Sequence, residues 1–158
     1  MEFKEEFNEV LEKVPDEFFD RDRFVPATGS LDADVALVGE APGADEVGEG
    51  EPFVGRAGEV LTRILADIGV ERSRIYITNL VKIRPPDNRD PKREEIEAWK
   101  PVLEEELDRV DPETVVTLGN FASQELVGTD RGISRIHGKV FSRDGRRVLP
   151  TFHPAATL

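Results

Sequence analysis

The order of apolar runs predicts an α/β fold: a three-layer α/β/α sandwich around a central, mostly parallel four-stranded sheet. Three observations carry this. Short runs rich in β-branched residues recur at 35–39, 74–80, 114–120 and 146–152. Segments with apolar residues at helical spacing separate them, and strand–helix alternation implies parallel strands with helices on both faces. The chain has 158 residues and 38% hydrophobic residues, enough for one core, so residues 1–158 are expected to form a single domain.

Each element has a local reason. Phe3, Phe7, Val10, Leu11 and Val14 fall at helical spacing, and residues 15–32 are turn-rich. VALVG (35–39) reads as a strand, followed by a long loop to Gly55. GEVLTRILADIG (58–69) reads as a helix with Gly69 at its end. RIYITNL (74–80) is the second strand. In 91–110, Ile96, Trp99, Leu103 and Leu107 line one helix face, Pro91 suits the first turn, and Pro101 predicts a kink or break. TVVTLGN (114–120) is the third strand, FASQELVG a short helix, and KVF with RRVLPTF (146–152) closes the chain with strand character.

Composition narrows the function. There is no cysteine, which excludes disulfides, iron–sulfur clusters and zinc–thiolate sites, and two histidines make a His-rich metal site unexpected. The N-terminus lacks a basic-then-apolar leader and no run could span a membrane, so a cytoplasmic location is expected. The net charge of −12 argues globally against nucleic acid. Its distribution does not: residues 129–149 carry +4 and residues 82–93 carry +3. An acidic coat also suits a high-salt cytoplasm, where self-repulsion is screened.

Parallel sheets place their sites beyond the carboxyl ends of the strands. The residues there are Gly39 to Gly43, Asn79, Gly119 with Asn120, and His153. GEAPG (39–43) is neither a phosphate loop, lacking Gly-Lys-Ser/Thr, nor a dinucleotide fingerprint. Its glycines permit close backbone approach. Phe53 is either a lid on the core or a platform for a flat ligand. The Asn79 amide is either a turn cap or a donor–acceptor pair for a nucleobase edge. His153 is either structural or catalytic, and His137 sits in a basic cluster as a surface or phosphate contact.

GEAPG (39–43), PFVGRAG (52–58), YITNLVKIRPPDNR (76–89), TLGNFA (117–122), ISRIHGKVF (133–141) and FHPAA (152–156) together resemble the family 4, thermostable-type uracil-DNA glycosylases, in order and over roughly residues 30–157. The resemblance implies hydrolysis of the N-glycosidic bond of uracil flipped out of DNA. It implies that Phe53 stacks on the base, Asn79 reads its polar edge, and His153 stabilises charge developing on the uracil oxygen. Glu40 would stabilise the sugar cation or position water. Glu46 would help exclude the thymine methyl group, and the backbone of Gly39, Ala41 and Gly43 would form the pocket wall. Lys82, Arg84, Arg131, Arg135, His137 and Lys139 would face phosphates of single- or double-stranded DNA, and the protein would act as a monomer without a membrane.

Three departures from the family pattern stand out. Family members usually hold a [4Fe–4S] cluster on four cysteines; Ile83 and Trp99 occupy two of those positions, the other two belong to the N-terminal region, and all are absent. No cofactor is therefore expected, and apolar packing should replace the brace. Val47 stands where an Asp is common. The chain ends at Leu158, where relatives continue into a further helix. Arg135-Ile136-His137 matches a tripeptide of a covalent-trapping offshoot of the superfamily, but not at that offshoot's place in the chain. Two other readings remain: a glycosylase for another deaminated base such as hypoxanthine, and a non-catalytic DNA-binding module of the same fold.

Overall fold

A computed structural model describes residues 1–154. The chain opens with two single-turn helices, α1 (Phe3–Glu6) and α2 (Asn8–Leu11), and the five apolar residues at helical spacing are all buried. Two 3-10 turns follow, Asp16–Phe18 and Arg21–Arg23. Then come β1 (Thr28–Gly29), β2 (Val35–Gly39), α3 (Ala44–Glu49), α4 (Gly55–Asp67), β3 (Tyr76–Asn79) and α5 (Arg93–Val110). The described part closes with β4 (Thr114–Leu118), α6 (Asn120–Val127), α7 (Ile133–Ile136), β5 (Phe141–Arg143) and β6 (Arg146–Thr151).

The sheet has six strands in the order β1-β3-β2-β4-β6-β5, not four. The four expected strands are its parallel centre. The additions are antiparallel edges. The two-residue β1 is too short to leave a periodic signal. Strand β5 folds back onto β6 through Asp144 and Gly145, both at positive φ (52° and 78°), which suits a two-residue hairpin turn.

The core divides by strand periodicity. Ala36 and Val38 of β2 pack in one cluster with α1, α2 and α5, while Leu37 packs in another with Leu61 and Leu65 of α4. Successive residues of one strand thus face opposite helical layers. Two further expectations change. The loop after β2 contains a helix, α3, and Glu46 accepts from the Gly43 N–H at 2.9 Å across its first turn. Helix α5 runs through Pro101 without the expected break, its neighbours Trp99, Val102 and Leu103 all buried. Pro101 removes one backbone donor, and apolar packing on both sides outweighs that loss.

Candidate active site

Strand register brings the candidates together. Gly39 and Asn79 are paired residues at the ends of β2 and β3, and Leu118 pairs with Thr151 at the ends of β4 and β6. The ladder continues one step beyond the strands: Leu80 N–H donates to Gly39 O at 2.9 Å and Val81 N–H to Glu40 O at 3.2 Å. A pocket of about 40 Å³ at this end is lined by Ala41, Glu46, Phe53, Val54, Ala57, Asn79 and His153. It adjoins a cleft of about 230 Å³ that shares Ala41, Glu46 and His153 and adds Glu40, Gly43, Asn88 and Arg89.

Phe53 is buried and stacks on the His153 ring, with centroids 5.5 Å apart and planes 30° from parallel. Its φ of 52° is in the left-handed region, an uncommon place for a bulky residue, so something must hold it there. Arg72 does. Its guanidinium donates to the Phe53 carbonyl at 2.6 Å, to the Pro52 carbonyl and to Thr62 Oγ1 at 3.2 Å. Gly39 and Gly58 make room: a Cβ on Gly39 would lie 2.4 Å from Phe53 Cζ, and one on Gly58 would lie 2.0 Å from the Phe53 carbonyl oxygen. Phe53 thus belongs to the core cluster with Leu37, Leu61 and Leu65 and also lines the pocket.

Asn79 is 4% exposed, and its side-chain amide makes no hydrogen bond among the described residues. The residue lines the pocket, where a ligand can supply both a donor and an acceptor for the amide. Glu46 is tied to backbone by both oxygens, accepting from Gly43 N–H at 2.9 Å and Val54 N–H at 3.2 Å. It therefore shapes the pocket by clamping the Gly43 turn to the residue after Phe53. Glu40 lies at the start of α6, where Phe121 N–H reaches Oε1 at 3.4 Å, and Gly119, at φ 91°, leaves the space its carboxylate occupies. Burial raises the Glu40 pKa above the usual carboxylate range; the Phe121 N–H opposes this and Asp90 adds to it. Burial lowers the His153 pKa, with Glu46 opposing, which favours the neutral imidazole.

The basic residues separate into two groups. Arg131, Arg135, His137 and Lys139 are exposed, on and around α7, and the His137 ring packs on Phe152 at 4.6 Å beside the end of β6. Asn120 Oδ1 accepts from Ile133 N–H at 2.7 Å and ties α7 to the end of β4, so this segment lies at the pocket end of the sheet. Arg84 is half-buried, its Nε donating to Asn88 Oδ1 at 2.8 Å. Lys82 is a correction: it is fully buried, 2.5 Å from Glu106, and cannot meet a phosphate. Its place in a basic run misled, because its partner lies on α5, 24 residues onward. Arg72, Ala57 and the Asn88–Arg89 rim were not anticipated; nothing in the local sequence distinguishes Arg72 from any surface arginine.

The iron–sulfur cluster expected of the resembling family does not fit this chain. Trp99 packs on Phe19 and Phe24 (centroids 5.1 and 6.1 Å) and donates from Nε1 to the Phe18 carbonyl at 3.0 Å. Ile83 packs against the same core and bridges to Phe24. These side chains offer no iron ligand, and among the described residues no three His, Cys, Asp or Glu converge. The expectation of a missing C-terminal helix lies outside the described residues.

Comparison with known proteins identifies the family. The family model for the uracil DNA glycosylase superfamily matches residues 26–158. The type-4 uracil-DNA glycosylase of Archaeoglobus fulgidus is 46% identical, covering 85% of this chain and 72% of that protein. Those of Sulfurisphaera tokodaii and Saccharolobus solfataricus are 42% and 41% identical, each covering 87% of this chain, and 67% and 68% of their own lengths.

Proposed function

The chain belongs to the uracil DNA glycosylase superfamily, and we propose that it excises uracil from DNA by hydrolysing the N-glycosidic bond, as a monofunctional base-excision repair enzyme. The observation that carries this is the convergence of Phe53, Asn79 and His153 on one pocket, with an Asn79 side-chain amide that makes no hydrogen bond among the described residues. A flipped uracil laid on Phe53 presents O4 and N3–H to that amide, an acceptor and a donor for its N–H and C=O. Cytosine presents the reverse pattern. His153, stacked beside Phe53 and biased by burial toward the neutral imidazole, donates to the oxygen on which charge builds as the bond breaks. Glu40, opening on the adjoining cleft, faces the sugar cation or orients the attacking water. Glu46 and the Ala41–Gly43 backbone narrow the wall against a 5-methyl group.

The acceptor of the DNA backbone is the exposed segment Arg131 to Lys139 with Arg84; single and double strands both suit a site that takes one extrahelical base. Lyase chemistry is not part of the reading, since the Lys82 amine is sealed behind the Asn79 carbonyl. Residues 1–158 act as one domain and as a monomer, without a cofactor, in the cytoplasm, with the acidic coat adapted to high salt. No helix among the described residues is long and apolar enough to cross a membrane.

The test is excision from single- and double-stranded oligonucleotides carrying uracil or hypoxanthine, at low and molar salt, with alkali to cut abasic sites. Uracil release, abolished by His153→Ala or Asn79→Ala while DNA binding survives, is the expected result. Binding without release at any salt would select the non-catalytic module instead, and release of hypoxanthine alone would select the other glycosylase.

A further inference from the structure

Lys82, Glu106 and Tyr76 form a polar chain in the apolar layer between β3 and α5. Tyr76 Oη donates to Glu106 Oε2 at 2.7 Å, Lys82 Nζ lies 2.5 Å from Glu106 Oε1, and Lys82 Nζ donates to the Asn79 carbonyl at 2.8 Å. All three side chains are fully buried. A buried ion pair is weak as a stabilising device, since apolar residues of similar volume often do as well or better. Its direction here is informative: the chain ends on the main-chain carbonyl of the residue whose amide faces the pocket. Burial lowers the Lys82 pKa, with Glu106 opposing, and the Tyr76 hydroxyl is held firmly protonated by burial and Glu106.

We propose that Lys82, Glu106 and Tyr76 are positioning residues that fix the peptide plane after Asn79 and thereby hold its amide in the one orientation that accepts uracil and refuses cytosine. This rests on the function proposed above. An Asn amide rotated by half a turn exchanges its N–H and C=O and fits the cytosine edge, so discrimination depends on what prevents that rotation. The ladder bonds from Leu80 and Val81 fix the strand side of the Asn79 turn. Lys82 is the group that fixes its carbonyl.

Two double variants isolate the bond. K82Q/E106Q and K82M/E106Q both remove the buried charges and keep an acceptor for Tyr76; they differ in whether residue 82 carries an N–H for the Asn79 carbonyl. The expected result is that K82M/E106Q loses roughly 10-fold or more of its uracil-over-cytosine ratio in kcat/KM, the effect of a lost buried hydrogen bond. K82Q/E106Q should keep most of the ratio at a similar Tm. Equal ratios in the two variants would overturn the proposal. If either fails to fold, Y76F/K82M/E106L, an all-apolar replacement, should fold and show the same loss; a wild-type ratio there overturns it too. The Asn79 side-chain amide resonances give a readout independent of catalysis: one narrow pair in the wild type, broadened or doubled in K82M/E106Q. If no variant or wild type excises uracil, the functional reading fails, yet these resonances still decide the positioning role, and unchanged resonances refute it.

Discussion

Gly39→Ala tests the site with a single methyl group. Gly39 has an ordinary backbone conformation, absent from the positive-φ residues, so alanine brings no strain of its own. The methyl would sit 2.4 Å from Phe53 Cζ and 2.5 Å from Asn79 Oδ1, whereas ordinary contact begins at 3.4 Å. Each group must therefore retreat by about 1 Å. The backbone cannot yield, since Gly39 is paired to Asn79 within the sheet and accepts from Leu80 N–H at 2.9 Å. Nor can the Phe53 main chain, which Arg72 grips. The displacement falls on the Phe53 ring and the Asn79 amide, the groups proposed to stack and to read the base.

A misplacement of that size costs about 100-fold in rate, or about 2.7 kcal/mol of transition-state stabilisation. The overpacking should cost about 1–3 kcal/mol of stability. Single-turnover uracil release, alkaline strand cleavage and a thermal melt measure both. Gly48→Ala is the control: it adds a methyl with nothing within 4 Å, in exposed α3, and should leave the rate unchanged. A Gly39→Ala rate within threefold of wild type would refute the assignment of Phe53 and Asn79 to the reacting base.

Three more outcomes follow from the same geometry. Arg72→Ala releases the Pro52 and Phe53 carbonyls; it should cost about 1.5–3 kcal/mol of stability, as for hydrogen bonds to a charged group, and raise KM more than it lowers kcat. Its refutation is an unchanged KM. The Glu40 pKa is raised above 4.5 in the folded state, so between that value and its folded pKa the native state holds a proton that the unfolded chain has lost, and stability declines as pH rises through this window. Glu40→Gln should therefore raise Tm at pH 7 relative to wild type, with the gain vanishing at and below pH 4.5, and should erase the acid limb of the kcat/KM profile. Arg135→Ala with Lys139→Ala should flatten the slope of log affinity against log salt by roughly 0.9 per charge on duplex DNA, leaving the rate on bound substrate unchanged; an unchanged slope would place the DNA elsewhere.

What could be read from the sequence was what depends on strand ends. VALVG, YITN, TVVTL and RRVLPT have local signatures, and a parallel sheet forces their carboxyl ends to one side, so Gly39, Asn79 and His153 could be grouped from the sequence. What could not be read depends on pairing at a distance. Lys82 sits among basic residues and looks solvated, but Glu106 makes it a core residue. Arg72 lies 19 and 20 residues from the carbonyls it holds. Strand β1 is two residues long, and helix α5 survives Pro101 because its packing outweighs one lost donor. Propensity and period see neighbours in the chain; these features are set by neighbours in space.

Neighbours in space also brace the region where Ile83 and Trp99 stand. The loop that leaves Asn79 is gripped from two sides. From the N-terminal side, Val25 N–H donates to Lys82 O at 2.8 Å, Arg84 N–H donates to Arg23 O at 3.0 Å, and the Arg23 guanidinium reaches the Arg84 and Pro85 carbonyls at 3.0 and 3.3 Å. From the α5 side, Glu106 holds Lys82, and Trp99 packs on Phe19 and Phe24. A cluster would join the N-terminal segment, this loop and α5 through three or four bonds at one point. The aromatic packing and the backbone bonds join the same three elements over a wider area, with no ligand to be oxidised or lost. Trp99→Ala should then be felt at the pocket as well as in the melt: truncating a buried Trp costs about 3–5 kcal/mol. Because α5 also carries Glu106, the loosened helix should broaden the Asn79 amide resonances under conditions where the protein remains folded.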